Sequence, residues 1–284
     1  MKLIGLADAQ GAITVADRVT DSEALVLGGL AEFWEDPAGH IERAGRAEGE
    51  RVRVADFAVV PPVLPDARVI CIGLNYRKHH AEGSYSGEAF PEYPTLFARW
   101  TRSLTVAGTP VPVPSNEAGL DWEGEVAAFV GTDLVDADPD EALAAVVGYA
   151  AFNDITSRRA QKLSSQWILG KNGDLSGPLG PLVPADEVGD LRDGLRVVTR
   201  VNGEIVQDGN TRDLVYDVGS TLSLISHTLT LRAGDVLATG TPEGVGYSRT
   251  PPWLLQPGDE VSVEAERLGV LANPITDSAA RTRG

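Results

Sequence analysis

Three carboxylates alternate along Asp121-Trp-Glu-Gly-Glu and run directly into the five apolar residues VAAFV at 126–130. In a strand, side chains alternate between faces, so Asp121, Glu123 and Glu125 would all point one way. The apolar run itself does not alternate, which is the pattern of a strand covered on both faces. Carboxylates at the mouth of such a strand are unfavourable unless they are paired or bound to a metal. Two readings are open: a solvated strand edge, or a set of oxygen ligands for a hard cation such as Mg²⁺, Mn²⁺ or Ca²⁺. Asp154, in GYAAFNDITSRRAQ, ends a second apolar run and could be a third ligand or a helix cap.

The other candidates for chemistry are few. The chain has four histidines, His40, His79, His80 and His227. In NYRKHHAEG, Glu82 follows His79 by three residues, so in a helical turn the two share a face. A carboxylate behind an imidazole sets its tautomer and stabilises the imidazolium, which makes a general base; the same spacing also occurs in ordinary surface pairs. On a helix His80 would point roughly 100° away from its neighbour. The Gly-, Ser- and Pro-containing stretch GSYSGEAFPEYP that follows would suit a mobile lid. GTPEGVG, at 240–246, fits neither phosphate-binding nor dinucleotide fingerprints. It reads as a strand-to-loop turn, or as a loop whose amides and Thr241 approach an anionic ligand. Lys171, in QWILGKNGD, is either a surface lysine or a cation for a substrate carboxylate or oxyanion.

The elements that would position these residues are mostly strands. MKLIGLADAQGAITVADRV reads as two strands around a turn at Gln10-Gly11. Residues 22–34 and 39–47 read as helices, with Asp21 or Ser22 as N-cap. Pro61, Pro62 and Pro65 make a connector, because proline lacks a backbone donor. Beyond it RVICIG and DWEGEVAAFVG read as strands, and LAAVVGYAAFNDI as helix or strand. Asn202-Gly203 signals a two-residue hairpin turn of type I′. Residues 216–228 read as a helix, and the turns at Ala233-Gly-Asp and Pro257-Gly-Asp precede strands. Many short strands with few helices indicate a β-rich α+β fold.

The bulk properties exclude several classes. A net charge of −17 and a pI near 4.6 argue against nucleic-acid and anionic-membrane partners. The single cysteine, Cys71, excludes an intramolecular disulfide and a structural zinc site of the cysteine type, and reads as a buried thiol. No stretch reaches the roughly 18 apolar residues of a membrane span, and no targeting segment is read at the start, so a soluble cytoplasmic protein is expected.

Taken in order, VICIGLNYRKHHAE, PTLFARWTRSLTVAG, LDWEGEVAAFVG, VVGYAAFNDITSRRAQ, QWILGKNGDLSGPLGPLVPADEV, VNGEIVQDGNTRD and LRAGDVLATGTPEGVG resemble the fumarylacetoacetate hydrolase superfamily over about residues 59–275. The likeness is to its bacterial acylpyruvate hydrolase and 2-hydroxyhepta-2,4-diene-1,7-dioate isomerase branch. The resemblance implies a mixed β-sandwich or β-roll core, with a small α/β domain at 1–65, a catalytic domain at 66–275 and a loose tail at 276–284. It implies one divalent cation per subunit, Mg²⁺ or Mn²⁺ with Ca²⁺ also admissible, held by Glu123, Glu125 and Asp154. It implies that His79 and Glu82 activate water on a segment that closes over substrate. Lys171, Gln161 and Thr241 match positions that contact substrate or oxyanion in relatives, and Arg158 matches a family arginine. Arg159, Gly173 and Gly177 stand where many relatives have an aspartate, an aromatic residue and a cysteine.

The reaction expected first is hydrolysis of a C–C bond in a 2,4-dioxo acid through a metal-stabilised enolate, with His79 drawing the proton from water and Lys171 or Gln161 meeting the oxyanion. The alternative is enolate chemistry without water: decarboxylation or tautomerisation of oxaloacetate, or isomerisation of an unsaturated 2-oxo diacid. A third reading is a non-catalytic oxo-acid-binding protein. The expected partners are a small 2-oxo acid and a second copy of the chain.

Overall fold

A strand with no polar alternate cannot lie at a solvated face, so residues 126–130 require a layer on each side. The computed structural model supplies both layers; it describes residues 1–82 and 90–278. In chain order, β1 (Leu3–Ala7), β2 (Ile13–Arg18), β3 (Glu23–Gly29), α1 (Leu30–Glu35), α2 (Pro37–Gly45), β4 (Arg51–Arg53) and β5 (Ala58–Val60) come first. Next are β6 (Val69–Gly73), α3 (Arg77–Glu82), β7 (Thr95–Arg99), β8 (Leu104–Thr105), β9 (Val111–Pro112), β10 (Gly124–Val130), α4 (Pro139–Ala144) and β11 (Val146–Asn153). The remainder comprises α5 (Arg158–Gln161), α6 (Ile168–Lys171), β12 (Gly177–Pro178), β13 (Val183–Pro184), α7 (Ala185–Val188), β14 (Arg196–Val201), β15 (Glu204–Asn210), α8 (Val218–Ser226), β16 (Val236–Ala238), β17 (Glu260–Ala265) and β18 (Gly269–Thr276).

The central sheet has the order β13-β11-β10-β16-β6-β7. It is mixed: β16 and β6 run parallel, and the other neighbours are antiparallel. Val126, Ala128 and Val130 of β10 enter one core with Val197, Val263 and Leu271 of a second sheet, ordered β15-β14-β17-β18-β9. Ala127 and Phe129 enter another with Leu3, Val15, Phe33 and Trp34 of the leading elements. Every residue of β10 is therefore buried. The Asn202-Gly203 turn joins β14 to β15 with positive φ at both residues (50° and 84°), as a type I′ turn demands.

Two local readings are corrected. Residues 23–29 are strand, not helix: β3 pairs with β2 and β4, and the helical pattern begins only at Leu30. Alanine and leucine favour helix intrinsically, but pairing on both edges overrides that weak preference. The second helix starts at Pro37 and is capped by Asp36, whose carboxylate accepts the Gly39 N–H at 3.0 Å; neither Asp21 nor Ser22 caps anything. The ambiguous run LAAVVGYAAFNDI divides into α4 and the strand β11. The expected helix at 216–228 is α8, with Asp217 at its N-cap. Most of the lid stretch, residues 83–89, lies outside the described residues, as do 279–284 of the tail; Thr276 belongs to β18 and pairs with Pro112 of β9.

Candidate active site

Register brings the acidic residues together. β10 and β11 pair Gly124 with Asn153, so the next residues outward, Glu123 and Asp154, adjoin at the end of the pair. The Asp154 N–H donates to the Glu123 carbonyl at 2.9 Å, and the Glu123 N–H donates to Asn153 Oδ1 at 3.1 Å. Glu125, two residues into the strand, projects from the same face as Glu123. Carboxylate oxygens of Glu123, Glu125 and Asp154 lie within 4.8 Å of one another, and all three residues are buried. Asp121 does not join them. It accepts Arg158 Nε at 2.7 Å and the N–H groups of Gly246 and Tyr247 at 2.7 and 3.0 Å. Asp121 precedes β10 and sits in an isolated bridge with Thr156, so strand alternation does not carry that far.

Three cations balance the cluster. Lys171 Nζ lies 2.6 Å from Glu123 Oε2 and 2.5 Å from Asp154 Oδ2. Arg158 Nη2 is 2.6 Å from Glu123 Oε1 as an ion pair, yet its N–H groups are not aimed for a hydrogen bond. Arg99, which the sequence reading did not single out, donates Nε to Asp154, Nη2 to the Ile155 carbonyl at 2.7 Å and Nη1 to Ser176 Oγ at 3.0 Å. Its signal was available: in TLFAR the inward face of β7 reads Thr95, Phe97, Arg99, and a charge on an inward face needs a partner. Gly177 lies beneath this arginine, since a Cβ there would come 3.1 Å from Arg99 Nη1. Arg159 turns away and holds the 116–117 segment.

The charges act on one another strongly. Burial by itself would raise Glu123, but Lys171 and Arg158 overcome it and bring the carboxyl down to about 2. Glu125 goes the other way: burial, then the charges of Asp154 and Glu123, push it well above the ordinary carboxylate range. Burial disfavours the Lys171 ammonium, yet Asp154 and Glu123 raise its pKa, so it is a fixed cation. A divalent ion among the three carboxylates would relieve the like-charge repulsion that burdens Glu125. Three hard, buried oxygen donors suit Mg²⁺ or Mn²⁺, with remaining positions for water or substrate.

Facing the cluster, α3 carries His79, whose Nδ1 is 3.3 Å from Glu82 Oε2. His80 is buried on another side of the same turn against Phe90, at 5.1 Å between ring centroids. The glycine-rich loop proves to serve the protein's own carboxylates. The N–H groups of Gly240 and Gly244 donate to Glu125 at 2.9 Å and Glu82 at 2.6 Å, while that of Gly246 goes to Asp121. These three glycine amides are therefore taken by the protein's own carboxylates and are not open to an anionic ligand. Thr241 donates to the Gly124 carbonyl at 3.0 Å and accepts from Gln207 Nε2 at 2.8 Å. Gln207 also accepts from Gly124 N–H at 3.0 Å, so it ties the loop to β10, and nothing in its sequence context marked it.

One cavity of about 500 Å³ gathers these groups. His79, Glu82, Glu123, Glu125, Arg158, Gln161, Lys171 and Thr241 line it, with Ile72, Leu74, Phe97, Trp167 and Val245 as apolar walls. Asp154 is fully buried behind them. The arrangement is a polar floor suited to a hard cation, with the His79–Glu82 pair lining the same cavity.

Residues 68–276 match the fumarylacetoacetate (FAA) hydrolase C-terminal family, and the chain belongs to it. It is 34% identical over 252 residues to the human mitochondrial oxaloacetate tautomerase FAHD2A, covering 87% of this chain and 79% of that protein. It is 37% identical over 218 residues to the oxaloacetate tautomerase YisK of Bacillus subtilis, covering 76% and 71%. Among solved structures, 5-carboxymethyl-2-hydroxymuconate delta-isomerase from Mycobacterium smegmatis aligns with a TM-score of 0.77 at 27% identity, over 98% of this chain and 100% of that one.

Proposed function

We propose that this chain is a divalent-metal-dependent enzyme that transfers protons between the enol and keto forms of a 2-oxo diacid, with oxaloacetate as the first candidate substrate. The observation that carries the reading is that Glu123 and Glu125 of an oxygen-only triad, with Asp154 directly behind them, line the same cavity as the His79–Glu82 dyad. That set suffices for enolisation and needs no positioned water. The named activities of the relatives favour this alternative over C–C hydrolysis, which we keep as the second reading because His79 could equally draw a proton from water.

Held by Glu123, Glu125 and Asp154, Mg²⁺ or Mn²⁺ would supply Lewis acidity to a 2-oxo acid bound through its carboxylate and 2-oxo oxygens. The protein's own groups would do the rest. Glu82 would keep a proton on His79 Nδ1, leaving the other ring nitrogen to take a proton from the carbon beside the 2-oxo group or return it. Lys171, Arg158 and Gln161 would provide fixed positive charge and donors where negative charge develops on oxygen. Phe97, Trp167 and Val245 would limit water in the cavity, which strengthens those interactions.

The test uses enol oxaloacetate with Mg²⁺ and then Mn²⁺, following loss of the enol absorbance and, by NMR, the products. Acceleration of ketonisation with mass conserved is the expected result. No acceleration, together with cleavage of an acylpyruvate into two acids, would replace this reading with the hydrolytic one. The reading includes a homodimer. Leu96, Trp100, Ile168 and Leu169 are exposed along β7 and α6, and a second copy would cover them. Light scattering at a monomer mass would remove that part.

A further inference from the structure

Lys162 lines the same cavity as the acidic floor but, unlike the buried Glu123 and Glu125, it is exposed, on the cavity's solvent side. Of the three lysine and arginine side chains that line the cavity, Arg158, Lys162 and Lys171, Arg158 and Lys171 are ion-paired with buried carboxylates of the protein. Lys171 is bound to Glu123 and Asp154, and Lys78 pairs with Glu243 at 3.3 Å. Among the described residues, Lys162 has no carboxylate within ion-pair distance. Its ammonium instead donates to Tyr247 Oη at 2.8 Å and lies 3.9 Å from the centre of that ring. A cation over the electron-rich face of a tyrosine is attracted without being neutralised. An ammonium has three donors and this contact uses one, so two remain for a ligand. Tyr247 is itself placed by the backbone: its N–H donates to Asp121 Oδ2 at 3.0 Å, the same carboxylate that holds Arg158. Both Lys162 and Tyr247 line the cavity, as do the hydroxyl-bearing Ser164, Ser165 and Ser248.

We propose that Lys162, steered by Tyr247, binds the second carboxylate of the substrate, so that the enzyme selects 2-oxo acids with an anionic distal end. The proposal rests on the reading of the site given above, because it takes the 2-oxo end to lie at the triad. The two ends of the cavity then have different chemistry. The floor binds a chelating 2-oxo carboxylate through groups already engaged with one another, whereas the exposed side offers a positive charge with no carboxylate partner among the described residues. An uncharged distal group would leave that charge to solvent and gain nothing from it.

The experiment compares two ligands of equal length, 2-oxoglutarate and 2-oxopentanoate, which differ only in the distal carboxylate. Oxalate, which has no distal arm, reports on the floor alone. Binding to Mg²⁺-loaded protein is measured by calorimetry for the wild type, Lys162→Met, Lys162→Arg and Tyr247→Phe. The wild type should prefer 2-oxoglutarate, and Lys162→Met should lose roughly 10- to 100-fold in its affinity, the usual effect of one hydrogen bond to a charged group. Oxalate and 2-oxopentanoate should bind both proteins alike, Lys162→Arg should retain most of the preference, and Tyr247→Phe should weaken it by roughly 2- to 10-fold through lost ordering of the lysine. Equal affinity of the two oxo acids in the wild type, or a preference that survives Lys162→Met, overturns the proposal. Lys162 is exposed, so the variant should fold, and oxalate binding verifies it. Enol–keto turnover of oxaloacetate unaffected by Lys162→Met would remove the subsite while leaving the tautomerase reading intact. A diacid preference that depends on Lys162 without such turnover would support the subsite and remove the tautomerase reading.

Discussion

Glu125 and Arg99 show how single residues set the behaviour of the acidic floor. Burial and the charges of Asp154 and Glu123 hold the Glu125 pKa well up, so in the metal-free protein a proton resides there at pH values where an ordinary carboxylate has lost it. A metal needs the carboxylate, so binding must expel that proton, and affinity should rise with pH until the raised pKa is passed. Calorimetric titration with Mg²⁺ in buffers of different ionisation enthalpy should reveal proton release. Glu125→Gln should abolish the release and weaken binding by roughly tenfold or more. Arg99 is wholly buried and is the counter-charge of Asp154 on the side away from Lys171. Arg99→Met leaves a buried carboxylate and the Ile155 carbonyl short of donors, and should cost about 3–5 kcal/mol in urea unfolding. A loss below about 1 kcal/mol would show that Lys171 alone compensates Asp154.

At the scale of elements, α3 and the loop after β16 form a single device. The Gly244 N–H on Glu82 ties the helix to the loop, while the Gly240 N–H on Glu125 ties the loop to the floor. If the imidazole carries protons and does not hold the ion, as proposed, His79→Ala should reduce turnover by roughly 10²–10⁴-fold with Mg²⁺ affinity unchanged. A parallel loss of Mg²⁺ affinity would contradict that separation. Gly240 has φ +92°, and a Cβ there would lie 2.8 Å from Asn75 Cβ and 3.0 Å from the Ile72 carbonyl. Gly240→Ala should therefore destabilise the fold by about 1–3 kcal/mol, read by thermal melting. It should also weaken Mg²⁺ binding, because relief of the clash draws the amide off Glu125. Melting unchanged from wild type would mean that the loop bends freely there.

For the whole molecule, the proposed metal site would link ion binding to the fold. Glu123 and Glu125 lie at the start of the central strand, and Asp154 lies at the end of its neighbour, so an ion held by all three would fasten β10 to β11. Mg²⁺ at 100 times its dissociation constant should stabilise the chain by about 2.7 kcal/mol, and chelator should reverse the shift in melting temperature. An identical melt with Mg²⁺ and with chelator would argue against the triad as a metal site. Among the described residues no helix is long and apolar enough to cross a membrane.

The local alphabet of the sequence determined a good deal. The unalternating run after Glu125 announced a doubly covered strand, Asn202-Gly203 announced its hairpin, and seven short stretches in order carried the family. Period-two alternation placed Glu123 and Glu125 on one face because that relation spans only two residues of one strand. Relations between distant segments were left to the tertiary structure. Strand register decided that Asp154 meets Glu123, and loop path decided that Asp121 turns to Arg158 and the loop amides instead. Pairing on both edges made residues 23–29 a strand against their helical propensity. Arg99 and Gln207 stayed hidden for the same reason: a side chain's partner across 55 or 83 residues is set by packing, and no spacing in the chain encodes it.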